Sequence, residues 1–177
     1  MVDIRRLATS DIIRIAEIDR SEHVTLGYVY RDGKLETRQV DWHVPRWFTD
    51  GRREHSVQAL IDKWSPGLEQ GGVLLGALDG DELAGLAMLR YKLSDTMAQL
   101  ALLHVSRACR RQGIATRLFL EACQLASEDG ATELYITATP SESAVGFYRS
   151  QGCRLAEQVN GELYAEEPED IHMIKTL

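Results

Sequence analysis

The sequence predicts an α/β layered domain: a mixed, mostly antiparallel sheet of about six to seven strands, with flanking helices. Short apolar runs with the two-residue period of strands occur near both ends and through the middle of the chain. The later runs alternate with amphipathic stretches in the order strand, helix, strand, helix, strand, which sets helices against a sheet. Asp32-Gly33 and Asp79-Gly80 each sit between apolar runs, as hairpin turns do. With 177 residues, 44% hydrophobic and 27% charged, the chain has the balance of a folded protein and the length of one domain over residues 1–177.

Val2 to Arg6 alternates apolar and polar as a half-buried strand does, and Thr9, Ser10 and Asp11 offer N-cap oxygens before Ile12, Ile15, Ala16 and Ile18. His23 to Asp41 predicts a hairpin around Asp32-Gly33, followed by an irregular aromatic stretch with Trp42, His43, Pro45, Trp47 and Phe48. Val57, Leu60, Ile61 and Trp64 have helical spacing, and Pro66-Gly67 is expected to end that helix. A second hairpin joins Val73–Leu78 to Leu83–Leu89. Met97 to Val105 is almost wholly apolar, the pattern of a strand covered on both faces. Ala115 to Ser127 is an amphipathic helix stopped at Gly130. Leu134–Thr137 is a strand, and Thr139-Pro140-Ser141-Glu142 reads as a capping box with proline at the first helical position. The helix it opens carries Ala144, Val145, Phe147 and Tyr148 and ends at Gly152. Cys153–Val159 and Ile171–Lys175 are closing strands, joined through Asn160-Gly161 and an acidic loop at 166–170 that reads as a solvated turn.

Twenty basic against 27 acidic residues, a net charge of −7, argue against unspecific nucleic-acid binding, which needs a basic footprint. No apolar run approaches bilayer length, and the first residues lack the character of a signal peptide, so neither a membrane partner nor export is expected. The three cysteines (Cys109, Cys123, Cys153) lack CxxC spacing and suit reduced thiols in the cytoplasm. Five histidines without paired spacing predict no metal site.

The chemically informative segment runs from Leu103 to Thr116. A buried strand ends in a loop with Arg107, Arg110 and Arg111, then Gly113, then a helix start. Unpaired N–H groups at a helix N-terminus attract phosphate. Glycine lets the backbone approach an anion closely, and guanidinium forks match its oxygens. A pyrophosphate cradle is predicted, and it is neither a GxxxxGK[ST] nor a GxGxxG loop.

On these residues the chain resembles the GNAT-type acyl-CoA N-acyltransferase superfamily. Arg110-Arg111-Gln112-Gly113-Ile114-Ala115 is similar to its [RQ]-x-x-G-x-[GA] motif, set after a Leu-x-Val strand. A second motif, N-x-x-A-x-x-x-Y, is matched by Ser141, Ala144 and Tyr148, with Ser141 in place of asparagine and Cys153 in place of a later phenylalanine. The resemblance is specific over roughly 100–155. It implies a coenzyme-binding core at about 97–155 and an acceptor-side insertion at about 21–71.

The resemblance further implies acetyl-CoA as co-substrate, held by the main chain of Leu103, His104 and Val105, by Arg110 to Thr116 (Arg110, Arg111, Gln112, Gly113, Ile114, Ala115, Thr116) and by Ser141. Tyr148 would protonate the departing thiolate. The implied reaction is direct acetyl transfer to an amine, with a small molecule favoured over a peptide or protein amine. A non-catalytic acyl-CoA sensor is the reading from another class. The general base is left open: Gln99 and Ile136 occupy the places where the family often has an acid, and Glu22, Asp41, His43 and Glu54 depend on how the insertion folds. His104 suits a buried histidine better than a catalyst, Tyr148 has a second reading as a core aromatic, and a homodimer is compatible with the hairpin.

Overall fold

The computed structural model describes residues 2–177. Strand β1 (Asp3–Leu7) leads to a 3-10 helix (Thr9–Glu17), then β2 (Glu22–Arg31), β3 (Lys34–Val44), α1 (Val57–Glu69), β4 (Val73–Asp79), β5 (Glu82–Ser94) and β6 (Met97–Val105). A 3-10 turn (Arg107–Cys109) precedes α2 (Ile114–Glu128), β7 (Glu133–Ala138), α3 (Glu142–Ser150), β8 (Arg154–Leu155), α4 (Gly161–Glu166) and β9 (Ile171–Thr176). The sheet has seven strands in the order β1-β4-β5-β6-β7-β9-β8, and only β6 and β7 run parallel. Strands β2 and β3 form a separate two-stranded ribbon. No helix among the described residues is long and apolar enough to cross a membrane.

Apolar side chains of the central strands feed two cores, one on each face. Ala98 and Leu100 of β6 join Leu118, Phe119 and Ala122 of α2 and Val145 of α3. Leu102 instead joins Ile12 and Ile15 of the 3-10 helix, Trp47, and Val57 and Leu68 of α1. The nearly continuous apolar run of β6 therefore has the cause expected of it, helices on both sides.

Several local expectations are corrected. The first helix is 3-10 and begins after Ala8, whose N–H donates to Asp11 Oδ2 at 3.0 Å; Thr9 and Ser10 lie inside it. Trp42 and His43 belong to β3. Helix α1 continues through Pro66 to Glu69, because the Asp62 carbonyl that proline leaves without a helical donor belongs to an exposed residue open to solvent. Ser141 is the N-cap of α3, not its first turn: its Oγ accepts from Ala144 N at 3.2 Å, and Pro140 precedes the cap. Of Cys153–Val159 only Arg154–Leu155 is strand, and the expected Asn160-Gly161 turn opens α4, with Asn160 Oδ1 accepting from Leu163 N at 3.1 Å.

Candidate active site

The site begins where two parallel strands part. β6 and β7 pair from Met97 opposite Glu133 to Leu100 opposite Ile136, and no further, although β6 runs on to Val105 and β7 to Ala138. The register of β6 against β5 slips at the same place: Leu100 faces Leu89 and Leu102 faces Met88, leaving Ala101 as a bulge. A bulge bends its strand and adds twist, so β6 turns away from β7 while β5 still holds Leu103, His104 and Val105 opposite Ala87, Leu86 and Gly85. One main-chain edge of Leu103–Val105 therefore lies open along a wedge.

The turn beyond β6 caps that wedge. Arg111 (φ 61°) and Gly113 (φ 77°) both take the left-handed conformation, natural for glycine and unusual for arginine. A Cβ on Gly113 would meet nothing within 4 Å, so the turn is open and not filled by the protein's own atoms. The first helical hydrogen bond of α2 runs from Arg117 N to Gly113 O at 3.1 Å, which leaves the N–H groups of Ile114, Ala115 and Thr116 without helical acceptors.

The two arginines of the motif do different things. Arg111 is exposed and among the described residues makes no ion pair or side-chain hydrogen bond. Arg110, expected beside it at the anion, turns inward: Nε donates to Val105 O at 3.2 Å, Nη2 donates to Arg20 O at 3.0 Å, and Nη1 lies 3.6 Å from Glu22 Oε2. These carbonyls and the Glu22 carboxylate satisfy its fork, so Arg110 braces the end of β6 against the root of the hairpin. Arg107 N to Asp19 O at 2.8 Å and Asp19 N to Ser106 Oγ at 2.9 Å tie the same two segments. The Gln112 amide likewise turns back, donating to Ala108 O at 3.3 Å.

Tyr148 is buried in α3 against Phe119 and Phe147. Burial pushes its phenol well above the ordinary value, and Cys153 and Asp170 push the same way. The hydroxyl is thus a protonated donor at any physiological pH, and no hydrogen bond among the described residues engages it. Ser141, expected at the coenzyme, is buried, with its hydroxyl on Ala144 N and 3.0 Å from Ser143 Oγ. His104 points to the other side of β6, edge-on to Trp47 at 5.1 Å between ring centroids. Burial, with Arg20 and Arg110 nearby, lowers its pKa to about 4, so it is a neutral packing imidazole. Gln99 is buried with Oε1 unpartnered. Burial, partial at Cys123 and fuller at Cys153, raises both thiols to about 11.

Two groupings were not foreseen. The acidic stretch at 166–170 is a turn with Glu166, Pro168 and Glu169 exposed, as expected, but Asp170 and Glu167 are half-buried and paired, and Lys63 Nζ donates to Glu167 at 2.8 Å and lies 3.3 Å from Glu166. Burial, then the bond and charge of Glu167, raise Asp170 to about 8. For Glu167 burial acts upward, but hydrogen bonds from Asp170 and Lys63 outweigh it and hold this carboxyl low. The pair thus holds one proton between its two carboxyls near neutral pH. Asp170 lies in a cleft of about 340 Å³ between the β2–β3 ribbon and β9, walled by Tyr28, Tyr30 and Tyr164. The ribbon reaches it because Tyr28 N donates to Pro140 O at 2.9 Å and Gly27 bridges Ser141. In sequence only the density of acids marked this place, which surface turns share. The second grouping is His23 and His43, opposed in the ribbon, with Asp41 beside them.

The family model described as "Acetyltransferase (GNAT) family" matches residues 37–153. The chain belongs to the GNAT acetyltransferase family. Solved acetyltransferases share its fold end to end. Nourseothricin acetyltransferase superposes with a TM-score of 0.73 at 20% identity, covering 99% of this chain and 98% of that one. The putative streptothricin acetyltransferase from Bacillus anthracis, solved with acetyl coenzyme A, gives 0.65 at 19% identity over 100% and 98% of the two chains. The PaiA N-acetyltransferase from Thermoplasma acidophilum, solved with coenzyme A, gives 0.65 at 17% over 100% and 99%. No curated protein matches the chain by sequence. The sheet of this GNAT chain has seven strands, the upper end of the expected number, and is antiparallel apart from β6 and β7.

Proposed function

We propose that this acetyltransferase moves the acetyl group of acetyl-CoA to a primary amine on a small molecule, by direct transfer in a ternary complex. The observation that carries the reading is the wedge between β6 and β7, with an open main-chain edge at Leu103–Val105 and an unpaired amide fan at its far end. An amide-bearing coenzyme arm would add to that edge as a strand adds to a sheet. The N–H groups of Ile114, Ala115 and Thr116, with Gly113 giving close approach and Arg111 adding charge, would hold its diphosphate. Gln112 shapes the turn. Arg110 and Ser141 act indirectly, the first by fixing the end of β6 and the second by capping the helix that carries Tyr148.

Four steps of chemistry then need four supports. The acceptor must lose a proton to attack, and Asp170, which is paired with Glu167 and lines the cleft between the ribbon and β9, would take it. Both reactants must meet, and juxtaposition in one site removes up to about 7–11 kcal/mol of entropic barrier. The tetrahedral oxyanion needs a donor, supplied by an unpaired N–H near Val105. The thiolate leaves with the Tyr148 proton. Direct transfer is favoured over an acyl-enzyme because burial keeps the Cys123 and Cys153 thiols protonated, near 11, and Cys109 sits in the turn before α2, at the diphosphate end of the proposed site. The cleft volume of about 340 Å³ suits a small acceptor.

The test is a pair of measurements on the purified protein. Calorimetric titration with CoA and with ATP should give heat with CoA, and heat with ATP alone would end the reading. A panel of small amines with acetyl-CoA should then release free thiol. Coenzyme binding without thiol release from any amine would favour a sensor.

A further inference from the structure

We propose that His23, Asp41 and His43 form a site for a divalent transition-metal ion of the zinc class on one face of the β2–β3 ribbon. The antiparallel register sets His23 directly opposite His43. Asp41 lies two residues before His43, so its side chain leaves the strand on the same side. Opposed residues have Cβ atoms about 4.5–5.5 Å apart, within reach of a shared ion. The two imidazoles stack with centroids 4.3 Å apart and planes 10° from parallel. Both Nε2 atoms face the same carboxylate oxygen, Asp41 Oδ1, at 2.7 Å from His23 and 3.5 Å from His43. One donor atom from each residue lies within 4.8 Å of the other two.

A proton serves this arrangement only in part. When His23 donates to Asp41, His43 is left with a long contact of 3.5 Å to the same oxygen. A dication between the three donors satisfies them together. Imidazole nitrogen with one carboxylate suits zinc, copper or nickel and not magnesium or calcium, which take oxygen ligands. Three protein ligands leave a fourth position open to water. With side chains 51% (His23), 74% (His43) and 79% (Asp41) exposed, the groups are free to close to zinc–nitrogen distances of about 2.0–2.1 Å. Bound metal would clasp the root of the ribbon one residue from Glu22, which meets Arg110. The separation of the two histidines along the chain hides the site from any reading of local spacing.

The proposal is independent of acetyl transfer, and its test reads metal directly. The tag-free, metal-free chain is titrated with zinc chloride by calorimetry, with cobalt(II) absorbance as a second probe. The expected result is one ion per chain and a higher melting temperature in zinc. Asp41→Asn and His43→Ala should each weaken binding more than about tenfold, with circular dichroism reporting that both variants stay folded. His55→Ala, and prior alkylation of the cysteines, should leave affinity unchanged. Absence of one-to-one binding, undiminished affinity in both ribbon variants, or loss on alkylation alone would overturn it.

Discussion

Arg110 and Arg111 are neighbours in sequence with opposite tasks, and single substitutions should separate them. Arg111→Ala removes an exposed charge beside the amide fan. Coenzyme affinity should fall more at low salt than at high salt, where screening has already removed most of the attraction. Arg110→Ala removes hydrogen bonds to Val105 O and Arg20 O. Its main effect should be a lower melting temperature, by the roughly 1–3 kcal/mol that buried polar groups left unpaired cost. Equal effects of the two changes on coenzyme binding would contradict this division. Tyr148→Phe keeps the packing against Phe119 and deletes only the hydroxyl. Turnover should drop ~10²-fold with coenzyme affinity intact. Gly113, Arg111 and Tyr148, which the proposed function uses, stood out in the sequence because each answers a local demand: close backbone approach, a cation beside the turn, a phenol on a helix. Arg110 and Asp170 were not, because their partners lie far along the chain and only the fold supplies them.

At the scale of elements, the ribbon docks on the end of β7 through a close approach. A Cβ on Gly27 would lie 3.2 Å from Pro140 O, 3.1 Å from Trp42 Cη2 and 3.2 Å from Val40 Cγ1. Gly27→Ala should therefore lift the ribbon from Pro140, shift tryptophan fluorescence and raise acceptor KM while sparing coenzyme affinity. Unaltered acceptor kinetics would remove the ribbon from the acceptor side. Ser141→Ala should cost about 1 kcal/mol through loss of the α3 cap, read as a shift in denaturant midpoint. The central strands and α2 were legible from their apolar periods. The Ala101 bulge that opens the wedge was not, because a strand buried on both faces looks the same in either register. Helix α4 was hidden by its brevity, and the length of α1 by a proline on an exposed turn.

Over the whole molecule, two buried groups bend stability with pH in opposite senses. His104 falls from 6.5 to about 4 in the folded chain, so its contribution is complete above 6.5 and is lost as acid forces the ring to charge. Asp170 rises from 3.8 to about 8, so its contribution is complete below 3.8 and is lost as pH climbs through 8. Glu167 is held below 4.5, so it adds stability above that value and loses it only in stronger acid. Between pH 6.5 and 8, Asp170 alone of these three changes charge. Melting temperature should decline across that interval, and Asp170→Asn should flatten the decline. The same substitution should remove any rise in acetyl transfer toward pH 8, and a rate profile untouched by it would exclude the pair as proton acceptor.

The ribbon stands outside the main sheet and is joined to it by a handful of bonds at Pro140, Ser141 and the root near Arg20. Its strands can therefore change without disturbing the ladder that shapes the wedge, since neither core relies on β3 for strand pairing. If the ribbon lines the acceptor side, as the proposed function has it, acceptor preference would drift by mutation of this appendage while the thioester half of the chemistry stays as it is. On that reading, grafting a foreign loop between Glu22 and Val44 should alter which acceptor is used without relearning how to hold the coenzyme.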